Sequence, residues 1–141
     1  MKTNVVLKAV IMVAVVMASV MNFSASAATP AGYARNEERS GELVTARTIF
    51  KNEGGYLYRH LRYTFTYDNE NRVVNKEAFR WDSTKEAWVP YFNMSVAYTN
   101  DEVVLNYARW NSHSNAYDSH PEKSVYQLDE DTKGVLLASV K

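Results

Sequence analysis

YLYRHLRYTFTYDNENRVVNKEAFRW, residues 56–81, decides the fold. From Tyr56 to Tyr67 an extended chain puts Leu57, Leu61, Tyr63, Phe65 and Tyr67 on one side, with Arg59 among them. Tyr58, His60, Arg62, Thr64 and Thr66 fall on the other. A period of two marks a strand with one buried face, whereas a helix needs apolar residues three and four apart. The aromatic and β-branched content suits a pleated surface. Asp68-Asn69-Glu70-Asn71 then supplies a turn, because Asn and Asp tolerate left-handed backbone and cap their own reversals. Arg72 to Trp81 resumes the extended pattern, so the stretch is a hairpin.

The same pattern continues on both sides. Leu43 to Phe50 precedes it across Asn52-Glu53-Gly54-Gly55. After Asp82-Ser83-Thr84-Lys85-Glu86 the alternation returns, with Trp88, Phe92, Met94, Val96 and Tyr98 on one side and Tyr91, Asn93, Ser95 and Ala97 on the other. Pro90 cannot donate to a sheet ladder, so regular pairing of that strand is expected from about Tyr91. Thr99-Asn100-Asp101-Glu102 leads to Val103–Trp110, and Asn111 to Lys123 forms a longer polar loop. Ser124–Leu128 and Val135–Val140 are short terminal strands around Asp129 to Gly134. No stretch between Glu42 and Val140 keeps helical spacing.

Part of the pattern is duplicated. Tyr67-Asp68-Asn69 recurs as Tyr98-Thr99-Asn100, Val73-Val74 as Val103-Val104, Arg80-Trp81 as Arg109-Trp110, and Trp88 as Tyr117. A worn third copy starts at Ser124-Val125-Tyr126 and reaches Val135-Leu136. Each unit of about 30 residues is one hairpin. A lone hairpin is not stable in water, so the units must pair with one another. The expected fold is all-β: an antiparallel meander of six to seven strands over residues 42–141, open and strongly twisted.

The N-terminus reads differently. Lys2 and Lys8 precede an uncharged run from Ala9 to Met21, and Ala25-Ser26-Ala27 supplies small residues for a peptidase. Residues 1–27 are expected to be a cleavable signal peptide, since the run is shorter than the ~20 residues of a membrane span. No cysteine follows it to accept a lipid, so the mature chain is not expected to be a lipoprotein. Residues 28–41 are polar, with Pro30, Gly32 and Gly41, and read as a flexible lead. What is left after cleavage, 141 residues less 27, is enough for one domain. Localisation is therefore exported: periplasmic, outer-surface or secreted.

Charge and composition narrow the function. The chain has 16 basic and 16 acidic residues, and loss of Lys2 and Lys8 leaves a slightly acidic mature protein. That balance argues against nucleic acid as a partner, because phosphate contact needs a basic excess. The sequence holds no cysteine, so neither disulfides nor thiolate zinc can staple it. His113 and His120 share a loop with Asp118 but lack tight ligand spacing on a rigid element, so no metal is assigned. No cofactor motif, nucleophile elbow or phosphate loop is present. The carboxylates cluster in turns, where they serve turn chemistry; Glu77, near Phe79 and Trp81, is the exception a secreted hydrolase would need.

The aromatics carry the remaining signal. All ten Tyr and all three Trp lie beyond residue 27. Trp81, Trp88, Tyr91, Tyr107, Trp110 and Tyr117 are the candidate ligand-binding residues, as a stripe along one sheet face. Cross-strand packing is the more ordinary role for such rings, at a few tenths to about 1 kcal/mol a pair. Flat rings with polar tips also suit stacking on sugars. The expected role is a non-catalytic binding or surface-interaction module with a protein or glycan partner, self-association included. A carbohydrate-binding module on Trp81, Trp88 and Trp110 is the alternative, and a secreted hydrolase a further one.

The order of these features resembles a family of small exported Bacteroides proteins known only as a domain of unknown function. The Tyr-Asp-Asn turn, the Arg-Trp pair, the strand start at Trp88-Val89 and the segment VYQLDE (125–130) carry the resemblance over about Gly41 to Lys141. The Tyr-Asp turns are more loosely similar to YD repeats of bacterial surfaces, without their glycine-rich cores. The resemblance implies export from a Gram-negative gut anaerobe and brings no activity, cofactor or catalytic residue with it.

Overall fold

A computed structural model describes residues 32–128. The signal peptide, the turn at 129–134 and the strand expected over 135–140 lie outside the described residues. Within them the chain is all-β: β1 Tyr33–Ser40, β2 Leu43–Glu53, β3 Tyr56–Tyr67, β4 Val73–Asp82, β5 Ala87–Tyr98, β6 Glu102–Asn111, β7 Ala116–Tyr117 and β8 Glu122–Gln127. Each strand pairs antiparallel with the next from β1 to β7, and β8 pairs back on β6. The antiparallel meander is the fold, with two more strands than the alternation alone revealed.

The first addition is β1, which corrects the flexible lead over most of its length. Its sequence, YARNEERS, has almost nothing apolar to bury. Its backbone pairs with β2 throughout, and ion pairs flank the ladder: Glu37 Oε1 accepts from Arg47 Nε at 3.0 Å, and Glu38 Oε1 from Arg62 Nη1 at 2.8 Å. A charged outer strand also protects a sheet edge from pairing with other chains, so its polarity is compatible with strand structure. The second addition, β7, interrupts the loop expected over 111–123. It is a two-residue pairing of Ala116 and Tyr117 with Asn111 and Trp110.

Four β-bulges come in two repeated pairs. Thr45 on β2 and Val74 on β4 are each skipped by their neighbour's register near the start of a unit. His60 on β3 and Tyr91 on β5 are skipped near its middle. His60 and Tyr91 recur at the spacing of the Tyr67/Tyr98 duplication, and Thr45 and Val74 at that of Arg80/Arg109. A bulge shifts the alternation of its strand by one residue and increases local twist. This is why Trp88 does not share a face with Phe92, as strict alternation requires, and why Arg59 leaves the face of Leu61. Pro90 sits beside the Tyr91 bulge, paired with Phe79, and the strand continues through it to Ala87.

Both core clusters lie on one face of this sheet, while Ala46 and Thr48 are buried on the other, opposite Thr64 and Arg62. Val44, Phe65 and Val73 form one cluster, with Tyr63 and Tyr67 packed on it. Val96, Val103 and Leu105 form the other, with Met94, Tyr98, Tyr126 and Leu128. Val73 and Val103, equivalent in the two units, are the largest fully buried side chains. No helix or second sheet covers this face among the described residues, so long side chains do. Lys76 Nζ lies 4.5 Å from the centre of the Tyr63 ring, and the Arg72 guanidinium 4.4 Å from that of Tyr98. Their alkyl stems cover apolar surface, with the cationic ends over the rings. The Tyr67 hydroxyl donates to the Val44 carbonyl at 2.6 Å, and Tyr98 to the Val73 carbonyl at 2.9 Å. The duplicated tyrosine thus ties each unit to the strand that opens the previous hairpin.

Candidate functional site

Cross-strand partners share a face, which assigns the six candidate aromatics. Trp81 pairs with Trp88, and Trp110 with Tyr117, on the face opposite the core. Tyr107 pairs with Met94 on the core face. Tyr91, at its bulge, lies under Arg80, whose guanidinium is 4.5 Å from the ring centre. The single stripe expected from the sequence is therefore two groups. Four rings stand together on the outer face, and Tyr91 and Tyr107 belong with the core side.

The four outer rings form two matching pairs. Trp81 and Trp88 meet edge to face with centroids 5.2 Å apart at 70°. Trp110 and Tyr117 do so at 5.0 Å and 76°. The loops that carry them also match, RWDSTKEAW against RWNSHSNAY. Asp82 Oδ1 accepts the amides of Thr84 and Lys85 at 2.9 and 3.1 Å. Asn111 Oδ1 accepts those of His113 and Ser114 at 2.9 and 3.3 Å. Each loop ends on a left-handed residue, Glu86 at φ 50° and Asn115 at φ 53°. These Asx turns set the strand ends so that the rings face one another. The β2–β3 hairpin has Gly54-Gly55 in their place, both at positive φ, and continues into exposed Tyr56, Leu57 and Tyr58.

Glu77 sits inside this group. Its Oε1 accepts a 2.5 Å hydrogen bond from the Tyr117 hydroxyl. Burial and the neighbouring carboxylate push the Tyr117 phenol well above its ordinary range. The contact also describes shape. β7 lies three strand positions from β4, roughly 14 Å on a flat sheet. Side chains stand nearly perpendicular to a sheet, so these two meet only because the sheet curls toward this face. Glu77 therefore lies in the trough that this curl makes, bonded to Tyr117 and on the same strand as Trp81. The Arg59 guanidinium covers Trp81, 4.6 Å from its ring.

The histidines do not converge: His60 lies against Tyr33 and His120 Nδ1 against Ser119 Oγ, while His113 is in the β6–β7 turn. No group of three metal-binding side chains occurs among the described residues. Asp68 caps its own turn, accepting from the amides of Glu70 and Arg72 and from Arg72 Nε.

A family model matches residues 1–128, and its description is a family of unknown function, DUF3836. The chain belongs to DUF3836. The resemblance seen in the sequence is thereby confirmed. Two solved DUF3836 structures share the fold. One, from Bacteroides vulgatus, is 27% identical with a TM-score of 0.62, over 70% of this chain and 99% of that one. The other, from Parabacteroides distasonis, is 24% identical with a TM-score of 0.60, over 73% and 95%. A Bacteroides fragilis protein of unknown function has the same fold at 19% identity and a TM-score of 0.63, over 71% and 73%. No curated protein matches.

Proposed function

We propose that this DUF3836 chain is an exported, non-catalytic interaction protein whose contact surface is the outer, trough-shaped sheet face. The observation that carries the reading is the pair of edge-to-face aromatic couples, Trp81–Trp88 and Trp110–Tyr117. They stand on a face that no other described element covers. Rings left at a protein surface in a group mark contact sites more often than isolated ones do. Duplicated loops hold both couples in one geometry, a preorganisation that lowers the cost of binding. The carboxylates support a non-catalytic role. Asp68 and Asp82 hold turns, and Glu77 is engaged by Tyr117.

Export has its own check. The chain recovered from periplasm or medium is expected to begin at Ala28, read by N-terminal sequencing. An intact Met1 in those fractions would count against a cleaved leader. The contact face is tested by hydroxyl-radical footprinting of the mature protein, purified and on intact producing cells. Oxidation of Trp88 and Trp110 is expected to drop several-fold on cells, while exposed Tyr91 on the core side of the sheet stays unchanged. Equal oxidation of the tryptophans in both settings would remove this face as the contact surface.

A further inference from the structure

We infer that the trough binds a chain of neutral sugar rings, gripped by uncharged amides along its floor and stacked on the tryptophans at its end. The inference rests on the contact-face reading above and names its ligand class.

The floor is a grid of polar residues set by register. Thr66, Asn75, Ser95, Asn106 and Lys123 lie opposite one another across β3, β4, β5, β6 and β8. The next row, toward the aromatics, is Thr64, Glu77, Asn93 and Ala108. Asn75, Asn93 and Asn106 are half-buried. None of the three makes a side-chain hydrogen bond to another described residue. Each amide offers two donors and one acceptor carbonyl. Three such groups in register, held on a rigid sheet, are hydrogen-bonding capacity that the fold itself does not use.

The chemistry of the grid selects the ligand. Its only carboxylate is Glu77, which keeps one oxygen free of Tyr117. Lys123 stands at the far edge, and nearby Arg62 is spent on Glu38 and Thr48. A near-neutral lane does not fit an anionic polymer, which calls for clustered cations. A protein contact is also a poor match, because the centres of protein interfaces are apolar and aromatic and their rims polar. Here the middle is amide and hydroxyl, and the rings lie to one side. A polyhydroxylated chain matches both parts. Its hydroxyls exchange hydrogen bonds with Asn75, Asn93, Ser95 and Asn106, and its C–H faces lie on aromatic rings. Arg59 already covers Trp81, so Trp88 and Trp110 are the rings left to stack. Along β6, Asn106 and Trp110 are four residues apart, about 13 Å, room for two or three rings between the longer row and the aromatics.

The test is affinity electrophoresis of the full mature chain in native gels cast with soluble starch, β-glucan, mannan or xylan, alongside polygalacturonate. At least one neutral polymer is expected to retard the protein. The double variant N93A/N106A, truncated at the sheet surface, is expected to bind about tenfold more weakly. Trp88→Ala is expected to lose more, and Glu122→Ala on the core face nothing; far-UV circular dichroism confirms that each variant is folded. Folded wild-type protein that none of the four retards overturns the inference. So does retardation by polygalacturonate alone, or binding that N93A/N106A leaves intact. Footprint protection on cells without saccharide binding would remove the ligand class and keep the contact face. Loss of both would remove the contact face too.

Discussion

Val73→Asp is expected to lower the melting temperature of the mature domain by roughly 15–30 °C, while Val74→Asp, one residue on, changes it by a few degrees at most. Val73 is fully buried between Val44 and Phe65. The closest cation along the chain, Arg72, is already bound to Asp68 at 2.8 Å. An aspartate at Val73 would be buried without a partner, a defect worth about 3–5 kcal/mol. Small domains have only about 5–15 kcal/mol in total. Val74 is the extra residue of the bulge and is only half-buried, so a charge there keeps its water. Thermal melts followed by far-UV circular dichroism separate the two. Equal losses from both variants would mean that the bulge does not set which valine faces the core. Val103 repeats the position of Val73 in the next unit and is expected to behave in the same way.

That pair of valines also marks where the sequence was legible and where it was not. The hairpins, their Asx turns and the meander follow from alternation and turn chemistry, both local properties. Leu61, Tyr63, Phe65 and Tyr67 share a face as the period of two requires. The failures sit at the bulges. A bulge depends on how two strands match in length across a hairpin, which no single strand's pattern records. One skipped residue at Tyr91 moves Trp88 to the opposite face, and one at His60 moves Arg59. β1 was missed for another reason. It is paired to β2 along its backbone, with ion pairs to Arg47 and Arg62 beside the ladder, and a charged edge strand looks like a linker when only apolar spacing is weighed.

The candidate site was legible in part. Duplication of Arg80-Trp81 and Arg109-Trp110, with Trp88 and Tyr117, identifies the two couples of rings on the outer face. Tyr91 and Tyr107 were grouped with them because an aromatic residue carries no mark of the face it occupies. The amides carry no such mark. Asn93 and Ser95 read as the solvent side of a strand, and only the register places them beside Asn75, Glu77 and Asn106. A usable signal was present: unlike Arg62 or Lys123, the alternate polar positions of β4 to β6 include several uncharged ones.

The tyrosine ties predict an alkaline collapse. Burial pushes the Tyr98 phenol up to about 12, with Arg72 opposing and Asp68 adding to the shift. Tyr63 and Tyr67 are raised chiefly by burial, and Tyr117 by burial and Glu77. An unfolded tyrosine loses its proton near pH 10, while folded Tyr98 keeps its own to about 12. Between those values the unfolded chain binds fewer protons than the folded one, so stability falls as pH rises. Below pH 10 the contribution is present in full. Lys76 works in the opposite direction, since burial lowers its pKa, and its effect is complete once free lysine has titrated near 10.4. The steep loss therefore belongs to the window from 10 to 12. Tyr98→Phe is expected to start about 1 kcal/mol less stable at neutral pH, having lost the bond to the Val73 carbonyl. Above pH 10 it should lose further stability more slowly than wild type, because one raised phenol is gone. Urea midpoints measured from pH 8 to 12 on both chains provide the comparison. A wild-type midpoint that stays level through that range, or a variant whose decline is as steep, would show that these hydroxyls do not hold the units together.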